Sequence, residues 1–321
     1  MVALLAYLRA AFAWLAPVCL VLAGAWWLLS ALTADTITII RWANYATAWI
    51  GIGLLIVGTG LMAGRARAWG LSYLVAALIV LAPYHAQLGR SLVPGGAGDM
   101  PPGALRVLSY NTMLRNPDVD AISKVVLAHR PDIALLQEVL MPDELEMRLR
   151  ELYDGAPVYV ARDDYLRLMI VARFPLQPGK SRNGVQRAMV DMQGQKVGLR
   201  NLHAVRGVDE DAGQLAFVDH LIADLATVYS PVILAGDFNM TEGNEGYRRL
   251  RQWLRNVHEE AGRGFGFTFA TPQRRFGTLA PLIRIDHIFT SRHFEVLNAR
   301  ALGQFGNSDH FPIDAVLLLR R

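Results

Sequence analysis

Cysteine is almost missing from this chain. Cys19 is the single one in 321 residues, which excludes a disulfide framework and any cysteine-built zinc centre. No two of the eight histidines stand four residues apart, so the paired-histidine helix of many zinc enzymes is absent too. Charge is scarce at the start of the chain. Between Arg9 and Asp35 lie 25 uncharged residues, between Arg41 and Arg65 lie 23, and between Arg67 and Arg90 lie 22. Rich in Leu, Ala, Val, Ile and Trp, each run exceeds the roughly 20 residues that take a helix across a bilayer. They exclude a wholly soluble chain and predict three membrane spans at about 10–33, 42–64 and 68–89. The first is too long for a signal peptide, and two more follow it.

An excess of positive charge is likewise missing from the rest of the chain. The formal net charge of +4 belongs to residues 1–90, which carry five arginines and one aspartate; residues 91–321 hold 27 basic and 27 acidic side chains. The basic balance is therefore a property of the apolar part and no footprint for nucleic acid. Arg9 precedes the first run, Arg65 and Arg67 link the second to the third, and Asp35 and Arg41 cancel in the link between. Positive-inside bias then expects the amino terminus in the cytoplasm and everything after Arg90 outside. The Pro/Gly-rich stretch 91–104 marks a linker between an anchor at 1–90 and a second domain at 105–321.

In that second domain strand-like and helix-like stretches alternate, which predicts an α/β fold. A helix is expected over 118–129, another over 143–152 and another over 245–256. The informative pattern is how the apolar strands end. Residues 105–110 run into Asn111, 133–136 into Glu138, 197–202 into His203, and 232–235 into Asp237 and Asn239; the stretch 283–289 carries Asp286, and Asp309-His310 lead into a last strand at 313–319. Ligands of open α/β sheets bind beyond the strands' carboxyl ends, so these side chains are expected to converge. A hard divalent cation such as Mg²⁺ wants oxygen ligands from one or two carboxylates. Glu138 is the best ligand candidate, with Asn111 and Asp309 as helpers. His287, next to Asp286, is expected to point to the opposite strand face and to pack. Phe265, Phe267, Phe269 and Phe276, interleaved with Arg263, Arg274 and Arg275, form either a substrate lip, loop packing or a bilayer-facing rim.

The ordered set Ser-Tyr-Asn111, Gln-Glu138, Asn-Leu-His203, Gly-Asp237-Phe-Asn239, Arg-Ile-Asp286-His and Ser-Asp309-His310 resembles the endonuclease/exonuclease/phosphatase superfamily. The three apolar runs ahead of it look like that superfamily's bacterial membrane-anchored branch. The resemblance implies a DNase I-like four-layer α/β sandwich, two packed mixed sheets flanked by helices, preceded by three transmembrane helices. It implies that Glu138, supported by Asn111, binds Mg²⁺ or Mn²⁺ and that Asp309 joins the metal or the His310 network. His310 would be held by Asp286 and face the scissile phosphate, while Asp237 orients or deprotonates the attacking water. Asn239 would contact the phosphate, His203 would donate near the phosphate or leaving oxygen, and Arg187 would hold phosphate. Where hydrolytic members usually read Asn-Thr-His-Leu, this chain reads Asn201-Leu-His-Ala204.

These expectations describe a multi-pass enzyme of a bacterial inner or plasma membrane that hydrolyses a phosphodiester or phosphomonoester. Its partners would be the bilayer and either a lipid-linked phosphate or, on the alternative nuclease reading, extracytoplasmic DNA or RNA. An idle, membrane-tethered binding module is the rival of another class, and the full set of catalytic residue types argues against it. Nothing in the sequence specifies a protein partner.

Overall fold

The computed structural model describes residues 2–64, 66–93, 100–153, 157–192, 194–206, 211–228, 230–274, 277 and 281–320. Residues 94–99 of the expected linker, and Arg65, Arg275 and Phe276, lie outside the described residues. By internal packing the chain forms two units, residues 1–85 with 242–245, and residues 86–241 with 246–321.

The first unit is helical: α1 (Val2–Thr33), α2 (Thr38–Tyr45), α3 (Thr47–Ala63) and α4 (Arg67–Leu81), followed by a 3₁₀ turn at Ala82–Tyr84 and α5 (His85–Ser91), which runs on into the second unit. Two stretches, Leu15–Thr33 and Arg67–Ser91, are long and apolar enough to cross a membrane; a third exists only if α2 and α3, bent 71° apart, count as one span. A bend at Ala46 interrupts the helix just inside the second uncharged run. An uncharged run need not be one helix, because Asn44 supplies a reason to break it. Its side chain accepts from Trp26 Nε1 at 2.9 Å and donates to Asp35 Oδ1 at 2.5 Å, while Arg41 Nη1 donates to the Asp35 carbonyl at 3.1 Å. These bonds satisfy the polar groups within the unit, and α2 is capped at Ala46. Asp35 Oδ2 also accepts from the Glu245 N–H at 2.6 Å, so residues 242–245 belong to this unit. Helix α3 packs on α4 through its buried glycines. A Cβ at Gly58 would meet the Leu74 side chain and backbone at 3.0–3.1 Å, the close approach that small residues permit.

The second unit begins its sheets with β1 (Ala104–Asn111), β2 (Ile133–Gln137), β3 (Tyr159–Asp163), β4 (Leu168–Ala172), β5 (Leu176–Pro178), β6 (Val185–Met192) and β7 (Gln195–His203). They are completed by β8 (Val232–Asp237), β9 (Arg255–Asn256), β10 (Asp286–Thr290), β11 (Phe294–Ala301) and β12 (Ile313–Leu319). These make two six-stranded sheets, ordered β11-β12-β1-β2-β4-β3 and β5-β6-β7-β8-β10-β9. Each is mixed, with β1 parallel to β2 in the first and β7 parallel to β8 in the second. Alternate residues of the two inner faces, among them Val107, Leu135, Ile170, Val190, Leu199, Ile233, Ile288 and Leu317, form one buried cluster between the sheets. That is the expected period-two burial of a sandwich.

Helices cover both outer faces. On the first sheet lie α6 (Val119–His129) and α7 (Pro142–Leu152), burying Ile122, Val126, Leu145 and Leu149 against Leu108, Leu136 and Met169. On the second lie α8 (Asp211–Leu225) and α9 (Glu245–Leu250), burying Val218, Leu221, Tyr247 and Leu250 against Leu202, Leu234 and Phe289. The result is the four-layer α/β sandwich that the sequence predicts. Asp118 starts α6 by accepting the Ala121 N–H at 2.8 Å, a side-chain cap of ordinary kind. The helix expected over 245–256 stops instead at Leu250. Asn256 pairs with Phe289 as part of β9, and its side chain caps α10 (Val257–Ala261) by accepting the His258 N–H at 3.0 Å. Asn256 is a helix starter, which a continuous amphipathic reading overlooks.

Candidate active site

The strand ends meet as expected, at one rim of the sandwich. From the first sheet come Asn111, last residue of β1, and Glu138, which follows β2. From the second come His203 at the end of β7, Asp237 at the end of β8 and Asp286 at the start of β10. Register ties the last three together, since Asp237 stands opposite both His203 and Asp286 in the ladder. His310 lies just before β12 and joins the first set to the second.

The strand that presents Asp237 demands glycine at its next-to-last residue. Gly236 has φ +151°, and a Cβ there would collide with the Leu202 carbonyl of the neighbouring strand. Two functional positions carry left-handed backbone without being glycine, Glu138 at φ 56° and Asn239 at φ 48°. For glutamate this conformation is costly and persists only where the surroundings impose it. Here Glu138 Oε2 accepts the Leu114 N–H at 2.7 Å, Oε1 accepts the Asn111 amide at 3.0 Å, and Thr112 Oγ1 donates to the Glu138 carbonyl at 3.2 Å.

Asp237 is the hub. Its Oδ2 accepts the Asn111 amide at 3.0 Å and lies 3.6 Å from His203 Nε2 and 3.7 Å from His310 Nε2. Its Oδ1 accepts the Asn239 N–H at 2.9 Å. Behind His310, Asp286 Oδ2 sits 2.9 Å from Nδ1, and the ring packs against Phe269 with centroids 4.9 Å apart. Burial drives the Asp237 carboxyl up, the charge of Asp286 adds to this, and His310 and His203 oppose it, leaving it at about 6. Burial alone would lower His310, but Asp286 first and then Asp237 and Asp309 hold it protonated, up to about 10. Burial also pushes Glu138 up, yet the Asn111 amide, the Leu114 N–H and the two histidines outweigh it and keep the carboxyl below its ordinary range.

Glu138, His203 and Asp237 offer ligand atoms that all lie within 4.8 Å of one another. His203 Nε2 is 3.4 Å from Glu138 Oε1. An ionised carboxylate at the mouth, a buried carboxylate and an imidazole suit a divalent cation with oxygen preference. Asn111 stands between the two carboxylates. Its Oδ1 accepts the Met113 N–H at 3.0 Å, which fixes the amide so that its nitrogen donates to both carboxylates. It orients ligands.

Asp309 takes the second of its two expected places, in the His310 network. Asp309 stands beyond His310, with Oδ1 4.0 Å from His310 Nε2, and its Oδ2 is held by Arg274 Nη2 at 2.6 Å and Nε at 2.7 Å. It joins the histidine network and is not among the groups gathered around Glu138. Arg187 does not join the cluster. Gln186, Ala188 and Val190 take the inward face of β6, so Arg187 faces α8 and pairs with Asp224 at 2.9 Å. Asn239 turns its amide nitrogen to the Ala204 carbonyl at 2.9 Å. His287 packs as expected, fully buried against Phe238 and Tyr247 with Nε2 at 2.8 Å from the Met240 carbonyl.

Sequence reading missed the amides beneath the site. Asn201 donates to the Leu136 and Met169 carbonyls of the first sheet at 2.9 and 3.2 Å and to Gln186 Oε1 at 3.0 Å; its Oδ1 accepts from Gln137 at 2.8 Å. The available signal was amides at Gln137, Gln186 and Asn201 within strands, where a buried polar group must find partners.

Comparison with known proteins places this geometry. Residues 108–310 match the model of the Endonuclease/Exonuclease/phosphatase family. No curated protein sequence matches the chain. Among solved structures, an endonuclease/exonuclease/phosphatase family protein from Leptotrichia buccalis is 17% identical, with 66% of this chain and 99% of that one aligned at a TM-score of 0.53. A humanized D. rerio TDP2 is also 17% identical, over 67% of this chain and 99% of that one, at 0.55. A mannosyl-6-phosphatase from Bacteroides thetaiotaomicron is 19% identical, over 67% and 100%, at 0.51. At such identities the likeness is one of fold. The family match spans more than half of the chain and contains every residue of the cluster, so this protein belongs to the Endonuclease/Exonuclease/phosphatase family, whose members are metal-dependent hydrolases of phosphoester bonds.

Proposed function

We propose that the chain is a membrane-anchored phosphoesterase that uses Mg²⁺ or Mn²⁺ and acts on a lipid-linked or membrane-proximal phosphate from outside the cytoplasm. The single observation that carries the chemistry is the Asp237 hub, one buried carboxylate within 3.7 Å of Asn111, His203 and His310. Glu138 would hold the cation, and Asn111 would orient its carboxylate together with that of Asp237. A bound divalent cation draws charge from a phosphate's non-bridging oxygens. The other roles belong to the chain. Asp237, near 6, is matched as a base to neutral pH and takes the proton of the attacking water. His310, kept cationic by Asp286, donates to the phosphate as negative charge develops there. His203, partly exposed at the mouth, donates toward the leaving oxygen. Asn239, two residues past Asp237, would contact the phosphate.

The substrate class rests on charge and length. A domain with balanced charge lacks the field that gathers nucleic acid, and an anchor that spans the membrane limits its reach to phosphates near the bilayer. The test is the full chain in detergent micelles with Mg²⁺ or Mn²⁺, offered a polyprenyl diphosphate, a phosphodiester lipid, single-stranded DNA and duplex DNA. Turnover of a lipid phosphate that is lost in Asp237→Ala and His310→Ala is expected. Turnover of DNA with steep salt dependence would replace the substrate, and turnover that persists in both variants would overturn the site. A reporter fused after Arg321 that is active only in the cytoplasm would overturn the outward placement.

A further inference from the structure

Residues 268–274 run alongside 307–311 next to the catalytic histidine. The Phe311 N–H donates to the Thr268 carbonyl at 2.7 Å, the Thr271 N–H to the Asp309 carbonyl at 3.0 Å, and Gln273 Nε2 to Asn307 Oδ1 at 3.3 Å. This strip delivers Arg274 to Asp309, where Nε and Nη2 both close on Oδ2. The two partners differ sharply in surroundings: the Asp309 side chain is 5% exposed and that of Arg274 is 50% exposed. The other oxygen of Asp309 lies 4.0 Å from His310 Nε2, which is 3.7 Å from Asp237. The guanidinium therefore stands one carboxylate's width from the reacting end of His310, with solvent on its far side.

The site has need of such a cation. Glu138, Asp237 and Asp286 crowd its floor, and an anionic phosphate group entering it meets carboxylates. Arg187, the arginine expected to receive phosphate, is turned to α8 and Asp224. A guanidinium pinned through one edge keeps its remaining N–H donors aimed and loses little entropy on taking a second anion. We propose that Arg274 is a substrate-binding residue that takes non-bridging oxygens of the substrate's phosphate group, and that Asp309 holds this arginine in place instead of ligating a metal. The assignment deepens the phosphoesterase reading and rests on it for the identity of the ligand.

The experiment is calorimetric titration of inorganic phosphate into the full chain in detergent with Mg²⁺ present, comparing wild type with Arg274→Gln, Arg274→Lys and the double variant Arg274→Gln/Asp309→Asn. Loss of one charge-assisted contact predicts phosphate binding weaker by about 10–100-fold in Arg274→Gln, with partial retention in Arg274→Lys. The double variant stays weak, since a neutral amide in place of the Asp309 carboxylate does not restore the contact. Mn²⁺ affinity, read by electron paramagnetic resonance, is unchanged in Arg274→Gln and Asp309→Asn, and any ester turned over by Arg274→Gln shows a raised KM with kcat nearly intact. Wild-type affinity in Arg274→Gln, no phosphate binding by wild type, recovery in the double variant, or loss of Mn²⁺ in Asp309→Asn would each overturn the assignment. Arg274-dependent phosphate binding by a protein that hydrolyses no phosphoester would keep it and remove the phosphoesterase reading.

Discussion

His310 Nδ1, just ahead of a strand of the first sheet, lies 2.9 Å from Asp286 Oδ2 on the second, and both side chains are buried. The contact fixes which ring nitrogen faces Asp237 and makes the ring a cation at neutral pH. Asp286→Asn keeps the shape and removes the charge. It is expected to lower kcat by about 10²–10⁴-fold with little change in KM. It should also move the pH profile. In wild type kcat/KM rises as Asp237 ionises near pH 6 and falls as His310 deprotonates toward pH 10. Because Asp286 is the largest influence raising His310, its loss shifts the alkaline limb to lower pH. An unmoved alkaline limb in steady-state assays would assign that limb to another group.

Asn111 touches Glu138 and Asp237 at 3.0 Å each, through its nitrogen. As an orienting residue, its replacement by alanine should weaken Mn²⁺ binding by about 10–100-fold. Removal of Glu138 should be the more severe of the two. Titration followed by electron paramagnetic resonance measures both, and equal affinities in Asn111→Ala and wild type would show that the carboxylates hold their positions unaided.

Arg187 and Arg200 share Asp224 at 2.9 and 2.8 Å. Arg187→Ala is therefore a change in how β6 holds α8. It should leave KM for a phosphoester within about twofold while costing about 1–3 kcal/mol of stability, as expected for a part-buried charged hydrogen bond that loses one partner. A large rise in KM with unchanged unfolding would return the arginine to the substrate.

His258 and His287 are kept neutral, both well below their ordinary pKa because burial first and the Arg284 charge second disfavour protonation. Their stability contribution is full above the unfolded value of about 6.5 and is lost as pH falls below it, because only the unfolded chain then takes up the protons. Each histidine should cost about 1.4 kcal/mol per pH unit in that range. Thermal unfolding followed at pH 7.5, 6 and 5 checks this, and His287→Asn should flatten the acid slope. A slope that His287→Asn leaves unchanged would locate the acid sensitivity elsewhere.

The candidate site residues were legible because strands announce themselves by apolar runs and a polar residue at their end has few other purposes. Glu138, His203, Asp237 and Asp286 are of this kind, and strand alternation sends His287 to the packed side. Arg187 was not legible. Val185, Arg187 and Met189 could as well have been the inward set as Gln186, Ala188 and Val190, and only the seating of β6 on its neighbours decides. The partnership of Arg274 with Asp309 joins residues 35 apart through a loop with no periodicity. The bend at Ala46 was hidden for another reason. Hydropathy averages a window, whereas one asparagine with two polar partners, Trp26 and Asp35, is enough to turn a helix.

The amides between the sheets carry a consequence for the active site's operating range. Its two halves sit on separate sheets whose contact is otherwise apolar, and apolar surfaces specify area far better than alignment. Asn201, Gln137 and Gln186 act as a dowel across that seam. Unlike an ion pair, a carboxamide neither titrates nor is screened by salt. The spacing from Glu138 and Asn111 to His203 and Asp237 should hold from acid to alkali and from dilute buffer to brine. Any loss of rate along those axes then reports on protonation, the cation or the substrate, and not on the halves drifting apart.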